Sequence, residues 1–193
     1  MKKHLLFLGA GILFLVTTGL IYIPKFGRQG LNGIELTFLT NFSTGLLFLL
    51  NGIQGIRKQK TIAQSYHLSA GSILFCVLLI SLLCIGEANF SGPFLFLHVL
   101  NPLLATILII VFTYQAQTKL LKTFVGTLLV ATAYFAYVIW YGYSSGDWLY
   151  SVINVPEKGV LSVAAFYLVF AVLIPLLEFS MYRISKLFYE KTK

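Results

Sequence analysis

Charged side chains are scarce in this chain. Of its 193 residues, 10% are Asp, Glu, Lys or Arg, whereas 58% are hydrophobic and the mean hydropathy is +0.87. Typical soluble domains have roughly 25% charged residues, which they need to cover their surface. The scarcity of charge therefore excludes a soluble domain and indicates an integral membrane protein.

Cysteines and histidines are also few, two and three in number. Cys76 and Cys84 lie in one apolar run, too far apart along a helix to form a disulfide. Only His98 lies inside a hydrophobic stretch away from the ends of the runs, and no intramembrane carboxylate accompanies it. One histidine supplies too few ligands for a zinc site. We therefore expect no metal and no cofactor.

Long apolar runs dominate what is present. A bilayer-spanning helix needs about 20 residues, so 193 residues accommodate about six spans and leave no room for a soluble domain. The first run lacks a small-residue cleavage site after it and is expected to remain as a span. We predict an all-α integral membrane fold, a six-helix bundle forming a single domain over residues 1–193. The predicted spans are 5–23, 34–56, 67–85, 94–114, 120–143 and 159–182.

The basic residues are distributed unequally between alternate loops. Eleven of the 14 Lys and Arg residues lie in one set of loops and three in the other. Because cytoplasmic loops carry the excess of Lys and Arg, both termini are predicted to be cytoplasmic. The net charge of +8 is thus a signal of topology and of anionic lipid headgroups at the cytoplasmic face, not of nucleic acid binding. A multi-pass protein of the cell membrane is expected.

Polar side chains form a stripe on the second span. At about 100° per residue, Thr37, Thr40 and Asn41 fall on one helix face. His98 and Asn101 lie one turn apart in the fourth span, which enters the membrane from the same predicted outer side. At about 1.5 Å per residue, His98 falls between the depths of Thr37 and Thr40. These side chains are therefore expected to meet in one layer.

A cavity below the outer headgroups is the expected result of this layer. Tyr137 of the fifth span falls at a similar depth and is expected to line it. Large apolar residues flank the polar ones and are suited to hold an acyl chain: Phe38, Phe42, Phe94, Phe96 and Leu97.

Several polar residues also have purely structural explanations. An interhelical hydrogen bond would account for His98, although ionisable residues within the membrane are functional candidates by default. Asn101 precedes Pro102 and would satisfy backbone groups freed by a proline kink. Glu178, near the predicted cytoplasmic end of the last span, is expected to pair with Lys or Arg or to extend toward the interface.

The order of these motifs resembles a known family. The run L-T-F-L-T-N at 36–41, a lone His near the start of the fourth span, A-Y-x-x-Y at 133–137 and a Trp-containing loop precede a long last span. This layout is similar to that of the androgen-induced and androgen-dependent TFPI-regulating membrane proteins and covers most of the chain. The resemblance implies a helical membrane bundle that hydrolyses fatty-acid esters of hydroxy fatty acids. It also implies that Thr37 is the nucleophile and His98 its partner.

The chemistry of these residues is compatible with ester hydrolysis. A threonine hydroxyl becomes nucleophilic when a base within hydrogen-bond reach takes its proton, and a neutral histidine is a common base. Asn41, Asn101 and Tyr137 are candidate donors to the oxyanion, and Thr40 is a candidate supporting residue. The expected partner is a membrane lipid or fatty-acyl ester. The alternative is a non-catalytic transporter or lipid-binding protein that uses the same polar layer as a binding site.

Overall fold

The computed structural model of the chain describes residues 2–29, 35–83 and 91–192, and within these ranges it is helical and contains no strand. The first three helices are long: α1 (Lys2–Gln29), α2 (Leu36–Ile56) and α3 (Gln64–Leu83). The predicted first residue of the second span, 34, and the last two of the third, 84 and 85, lie outside the described residues. The all-helical prediction agrees with what is described.

The fourth apolar segment is one helical stretch of three parts. It consists of α4 (Pro93–Leu95), a π-helical segment (Phe96–Leu100) and α5 (Asn101–Phe112). The rest of the chain comprises α6 (Leu120–Ser145), a 3₁₀ turn (Ser151–Ile153), the short α7 (Val155–Lys158) and α8 (Val160–Lys191). At about 1.5 Å per residue, α8 is about 48 Å long, so it continues well past the predicted end of the last span at residue 182.

Five of the described helices, α1, α2, α3, α6 and α8, are long and apolar enough to cross a membrane. The segment Phe96–Phe112 is shorter and also apolar. Many large apolar side chains on these helices are exposed, among them Leu20, Leu129 and Leu161. Together with the length and apolar character of the helices, this pattern indicates a multi-pass helical membrane protein, because so large an exposed apolar surface is suited to contact with lipid.

The helices α1 and α2 pack more extensively against each other than any other described pair. Glycines make this close approach possible. A Cβ on Gly11 would lie 2.5 Å from the backbone nitrogen of Leu49, and a Cβ on Gly52 would lie 2.7 Å from that of Leu8. Small residues at such contacts allow helix backbones to approach closely within a membrane. The hairpin of α1 and α2 therefore forms one rigid side of the bundle.

On the other side, α3, α6 and α8 pack against one another. Near the end of α6, Gly146 adopts a left-handed conformation with φ of 73°, which ends the helix and turns the chain back. The loop that follows packs through Ile153 against Val138 and Val163. It thereby lies over the start of α2, and a space remains between α2 and the unit of α6 and α8.

Candidate functional site

A cavity of about 570 Å³ occupies this space. Its walls come from α2, α3, the segment containing the π-helix, α6, α8 and the loop after α6. Leu39 of α2 and Val130 of α6 both line the cavity and are exposed on the bundle surface, so it extends to the apolar side surface between these helices. Thr37, Thr40 and His98 are three of its polar lining residues. The cavity thus brings together three residues that the sequence analysis selected.

Thr37 is the second residue of α2 and is 7% exposed. Its hydroxyl makes no hydrogen bond to another residue in the described part of the chain. The first backbone N–H groups of a helix have no acceptor within that helix, and the helix dipole places partial positive charge there. Thr37 therefore combines a hydroxyl that has no partner among the described residues with a backbone environment that stabilises negative charge.

Thr40 lies one turn further along α2 and also lines the cavity. Its hydroxyl donates to the carbonyl oxygen of Leu36 at 2.8 Å. This bond to the preceding turn is the usual way in which threonine satisfies itself inside a helix. The two threonines therefore differ in the state of their hydroxyl groups, although their side chains are the same.

His98 is held by the unusual local geometry of its segment. Pro102 has no N–H to donate to the carbonyl of His98 four residues earlier, and its ring would clash with that carbonyl in an α-helix. The π-helical turn is wider than an α-helical turn and accommodates the proline. In it, the backbone N–H of Asn101 donates to the carbonyl oxygen of Phe96, five residues earlier. The ring of His98 stacks on that of Phe94 at 6.2 Å between centroids.

The hydrogen bonding of His98 indicates its tautomer. Its Nδ1 lies 3.1 Å from the carbonyl oxygen of Phe94. A carbonyl oxygen only accepts, so Nδ1 is the donor in this contact. A neutral imidazole with this tautomer is the form that a general base requires.

Asn41 and Asn101 meet behind the cavity and are not among the residues that line it. The Asn41 amide donates to the carbonyls of Thr37 (2.9 Å) and Leu97 (3.1 Å). The Asn101 amide donates to Asn41 Oδ1 (2.8 Å) and Thr17 Oγ1 (3.1 Å). Because an amide has two N–H groups, neither side chain has a donor left for an oxyanion. The pair joins α1, α2 and the fourth apolar segment.

Of the two tyrosines in the A-Y-x-x-Y motif, Tyr134 lines the cavity and Tyr137 does not. Tyr137 packs against Tyr134, Trp140 and Tyr141. The hydroxyls of Tyr134 and Tyr150 are 3.1 Å apart. In the A-Y-x-x-Y motif both tyrosines are one turn apart, so depth in the membrane did not distinguish them.

Tyr150, which the sequence analysis did not select, lies in the loop after α6 and lines the cavity. Its hydroxyl accepts a hydrogen bond of 2.7 Å from the backbone N–H of Leu36, at the start of α2. Burial raises the pKa of Tyr150 to about 12, so the phenol keeps its proton at neutral pH. No periodic pattern precedes this loop residue, and only the return of the chain over α2 brings it to the site.

An ion pair closes the same end of the bundle. Glu35, which precedes α2 and lines the cavity, accepts hydrogen bonds from Tyr22 at 2.6 Å and from Lys25. These contacts fix the end of α1 to the start of α2. They also occupy the Glu35 carboxylate.

Glu178 corrects an expectation from the sequence. Its side chain is 0% exposed and bonds hydroxyl groups, and it forms no ion pair among the described residues. The prediction that it pairs with Lys or Arg or extends to the interface is therefore wrong. The described residues also contain no group of three or more His, Cys, Asp or Glu side chains placed to hold a metal ion.

His67 and His4 lie at the opposite end of the bundle from His98. Both line a second cavity of about 110 Å³, together with Asn51 and Gln115. His67 is 1% exposed and packs against the rings of Phe7 and Phe48. Neither histidine contributes to the cavity that contains Thr37.

No protein-family model, curated protein or solved structure matches the chain.

Proposed function

We propose that this protein is an intramembrane hydrolase of a lipid ester, with Thr37 as nucleophile and His98 as general base. The assignment rests on one observation: both side chains line the same cavity, whose other walls are largely apolar. The volume of about 570 Å³ is within the range of small-molecule sites. The resemblance to the androgen-induced and androgen-dependent TFPI-regulating membrane proteins implies the same two residues.

The reaction would proceed in two steps. Thr37 Oγ1 attacks the ester carbonyl carbon while His98 Nε2 takes the hydroxyl proton, and the tetrahedral intermediate releases the alcohol, which receives that proton. Water, activated by His98, then hydrolyses the acyl-threonine and releases the fatty acid. The substrate is a fatty-acyl ester because the cavity surrounds the reacting groups with apolar side chains that suit an acyl chain.

The oxyanion would be stabilised by groups other than the amides of Asn41 and Asn101. The N-terminal turn of α2 presents backbone N–H groups and a positive dipole end beside Thr37. The phenols of Tyr134 and Tyr150 line the same cavity, and because one O–H group joins the two hydroxyls, the other is a further donor in this proposal. Tyr137 has no part in this proposal.

The site belongs to the outer half of the membrane in this proposal. Six spans with both termini in the cytoplasm put the start of α2 on the outer side of the cell membrane. The substrate enters sideways from the lipid, between α2 and α6, where the cavity lining is exposed. Anionic headgroups contact the basic loops on the opposite face.

A binding or transport function is the second candidate, and one observation favours it. Of the two asparagine amides expected at the oxyanion, Asn101 donates to Asn41 and Thr17 and Asn41 donates to two backbone carbonyls. The polar layer therefore also serves as a structural joint between helices. A cavity of this kind would hold a lipid without cleaving it.

Activity-based labelling distinguishes the two functions. A fluorophosphonate probe, which reacts with activated serine or threonine hydroxyls, is applied to the purified protein in detergent. We expect labelling of the wild type, and no labelling of Thr37→Ala or His98→Ala. Thr40→Ala is the matched control, because its hydroxyl already bonds Leu36 and its loss leaves the attacking group intact.

Turnover of a fatty-acid ester of a hydroxy fatty acid is measured on the same samples. Loss of labelling in Thr40→Ala alone would move the nucleophile to that residue. Equal labelling and turnover in all three variants would reject the hydrolase and favour the binding function.

A further inference from the structure

A second polar site is buried where α3, α6 and α8 meet, and the proposed hydrolysis does not use it. Its central residue is Glu178 of α8, with 0% of its surface exposed. Carboxyl groups within the membrane interior are costly and are associated with ion pathways and proton relays. The groups that surround Glu178 therefore decide whether its carboxyl group is ionised or neutral.

Hydroxyl groups from the two neighbouring helices surround the carboxyl group. Glu178 Oε1 accepts from Thr127 of α6 and, at 3.4 Å, from Ser72 of α3. Thr127 Oγ1 is also 2.6 Å from Ser69 Oγ and 2.9 Å from the carbonyl oxygen of Thr123. Glu178 Oε2 is buried and has no hydrogen-bond partner among the residues that the structure describes.

No positive charge balances this carboxyl group in the described part of the chain. The ion pairs found there join Lys25 to Glu35, Lys158 to Glu157 and Lys186 to Glu190. The titratable group of α3 near Glu178 is the thiol of Cys76, and α6 contributes only hydroxyls to the contact. Arg183, on the same helix, is exposed and lies over the ring of Phe179.

An ionised carboxylate in this position would be a buried charge without a counter-ion, which is strongly unfavourable. Two species remove that charge: a proton or a bound metal cation. Thr127 Oγ1 and Ser69 Oγ are 2.6 Å apart, the distance of a direct hydrogen bond, so no cation lies between them. The packing therefore fits a neutral carboxylic acid.

We propose that Glu178 is a proton-binding site, and that it carries its proton in the arrangement of helices described above. The hydroxyls of Thr127 and Ser69 extend from it toward the ends of α3 and α6 that are predicted to be cytoplasmic. Thr127 is seven residues from the first residue of α6, or about 10 Å along the helix axis.

The proton site adjoins the lipid cavity. Ala70, Leu128 and Ile174 line the inner end of the cavity. Ala70 follows Ser69, Leu128 follows Thr127, and Ile174 lies one turn before Glu178 on α8. A change in the protonation of Glu178 thus acts on the same three helices that hold the ligand. The proposal is independent of whether that ligand is hydrolysed.

Infrared spectroscopy of the full-length protein tests the protonation directly. At pH 7, the difference spectrum of wild type minus Glu178→Gln is expected to show the C=O stretching band of a protonated carboxylic acid, shifted in D₂O. The matched control is Glu190→Gln on the same helix. Glu190 is exposed and pairs with Lys186, so the difference spectrum of wild type minus Glu190→Gln should show carboxylate bands instead. Carboxylate bands for Glu178 would overturn the proposal.

Two further measurements keep the result interpretable. Thr127→Val removes a hydroxyl that bonds the carboxyl, so it should shift the acid band without abolishing it, even if Glu178→Gln does not fold. Spectra in sodium chloride and in choline chloride should be identical. Loss of the acid band in sodium alone, or a band unaffected by Thr127→Val, would reject the proton site in favour of a sodium site or of an acid elsewhere.

Discussion

At the scale of single residues, chemically identical side chains have different uses because their surroundings differ. Thr37 and Thr40 are one turn apart and line the same cavity, yet only the hydroxyl of Thr40 bonds the preceding turn. Thr37 lies where the backbone of α2 has no earlier carbonyl within the helix to receive a hydroxyl. Its position at the helix start therefore leaves its hydroxyl without an acceptor among the described residues.

Filling the cavity tests whether it holds an acyl chain. Ala131 lines the cavity, whereas Ala133, on the same helix, is exposed and does not. We expect Ala131→Phe to lower lipid binding on the order of 10-fold, or about 1.4 kcal/mol, because the ring occupies the space of the ligand. Mass spectrometry of the lipids that copurify with the protein measures the amount of lipid bound to each variant.

Ala133→Phe is the matched control and should retain the lipid, because its ring points into the surrounding detergent or bilayer. Equal lipid content in both variants would show that the cavity is not the binding site.

At the scale of helices, two backbone features position the site. The π-helical segment carries His98 and accommodates Pro102, and it ends where Asn101 is joined to α1 and α2. The glycine contacts between α1 and α2 hold these helices close together. Both features set the start of α2 relative to His98, so a change in either is expected to alter the cavity.

Substitution of the interhelical glycines tests the second feature. A Cβ on Gly11 would meet the backbone of Leu49 at 2.5 Å, a contact that no side-chain movement relieves, whereas a Cβ on Gly9 meets nothing within 4 Å. We expect Gly11→Ala to lower the free energy of unfolding by about 1–3 kcal/mol, as overpacking does in other cores.

The midpoint of thermal unfolding in detergent measures the effect. Gly9→Ala should unfold at the wild-type temperature or slightly above it, since alanine favours helix. A Gly11→Ala variant as stable as Gly9→Ala would contradict the close contact of α1 with α2.

At the scale of the whole molecule, the bundle has two chemically different ends. At one end, Tyr22, Glu35 and Tyr150 connect the end of α1, the start of α2 and the loop after α6. At the other end, Gln64 accepts hydrogen bonds from Gln115 and Thr118, which joins two Lys-containing loops. Helix ends that the charge distribution assigns to the same side of the membrane thus lie close together in the structure.

Reporter fusions test the orientation. With both termini in the cytoplasm, fusions after Lys58 and after Lys191 should be cytoplasmic, and a fusion after Gly146 should be external. Alkaline phosphatase, active only outside, and a fluorescent protein that matures inside are compared at each position. If the fusions after Lys58 and after Gly146 were found on the same side of the membrane, the prediction of six spans would be wrong.

The sequence predicted the helical class, the long apolar helices and the meeting of α2 with the segment around His98. Hydropathy and helical periodicity are local properties, and they suffice for these features. The same reasoning did not separate Tyr134 from Tyr137, because depth is nearly equal for residues one turn apart. It also assigned Glu178 to the interface, since apparent depth does not reveal which helix face is enclosed by neighbours.

What the sequence by itself determined is the helical, membrane-compatible character of the chain and the charge asymmetry from which its orientation is predicted, because both follow from composition along short segments. Only the tertiary structure decided how the polar groups are used. It turned Asn41 and Asn101 toward each other, brought Tyr150 over the start of α2 and enclosed Glu178 among hydroxyls. In an apolar surrounding each polar group must find a partner, and the choice of partner depends on how helices far apart in the chain pack together.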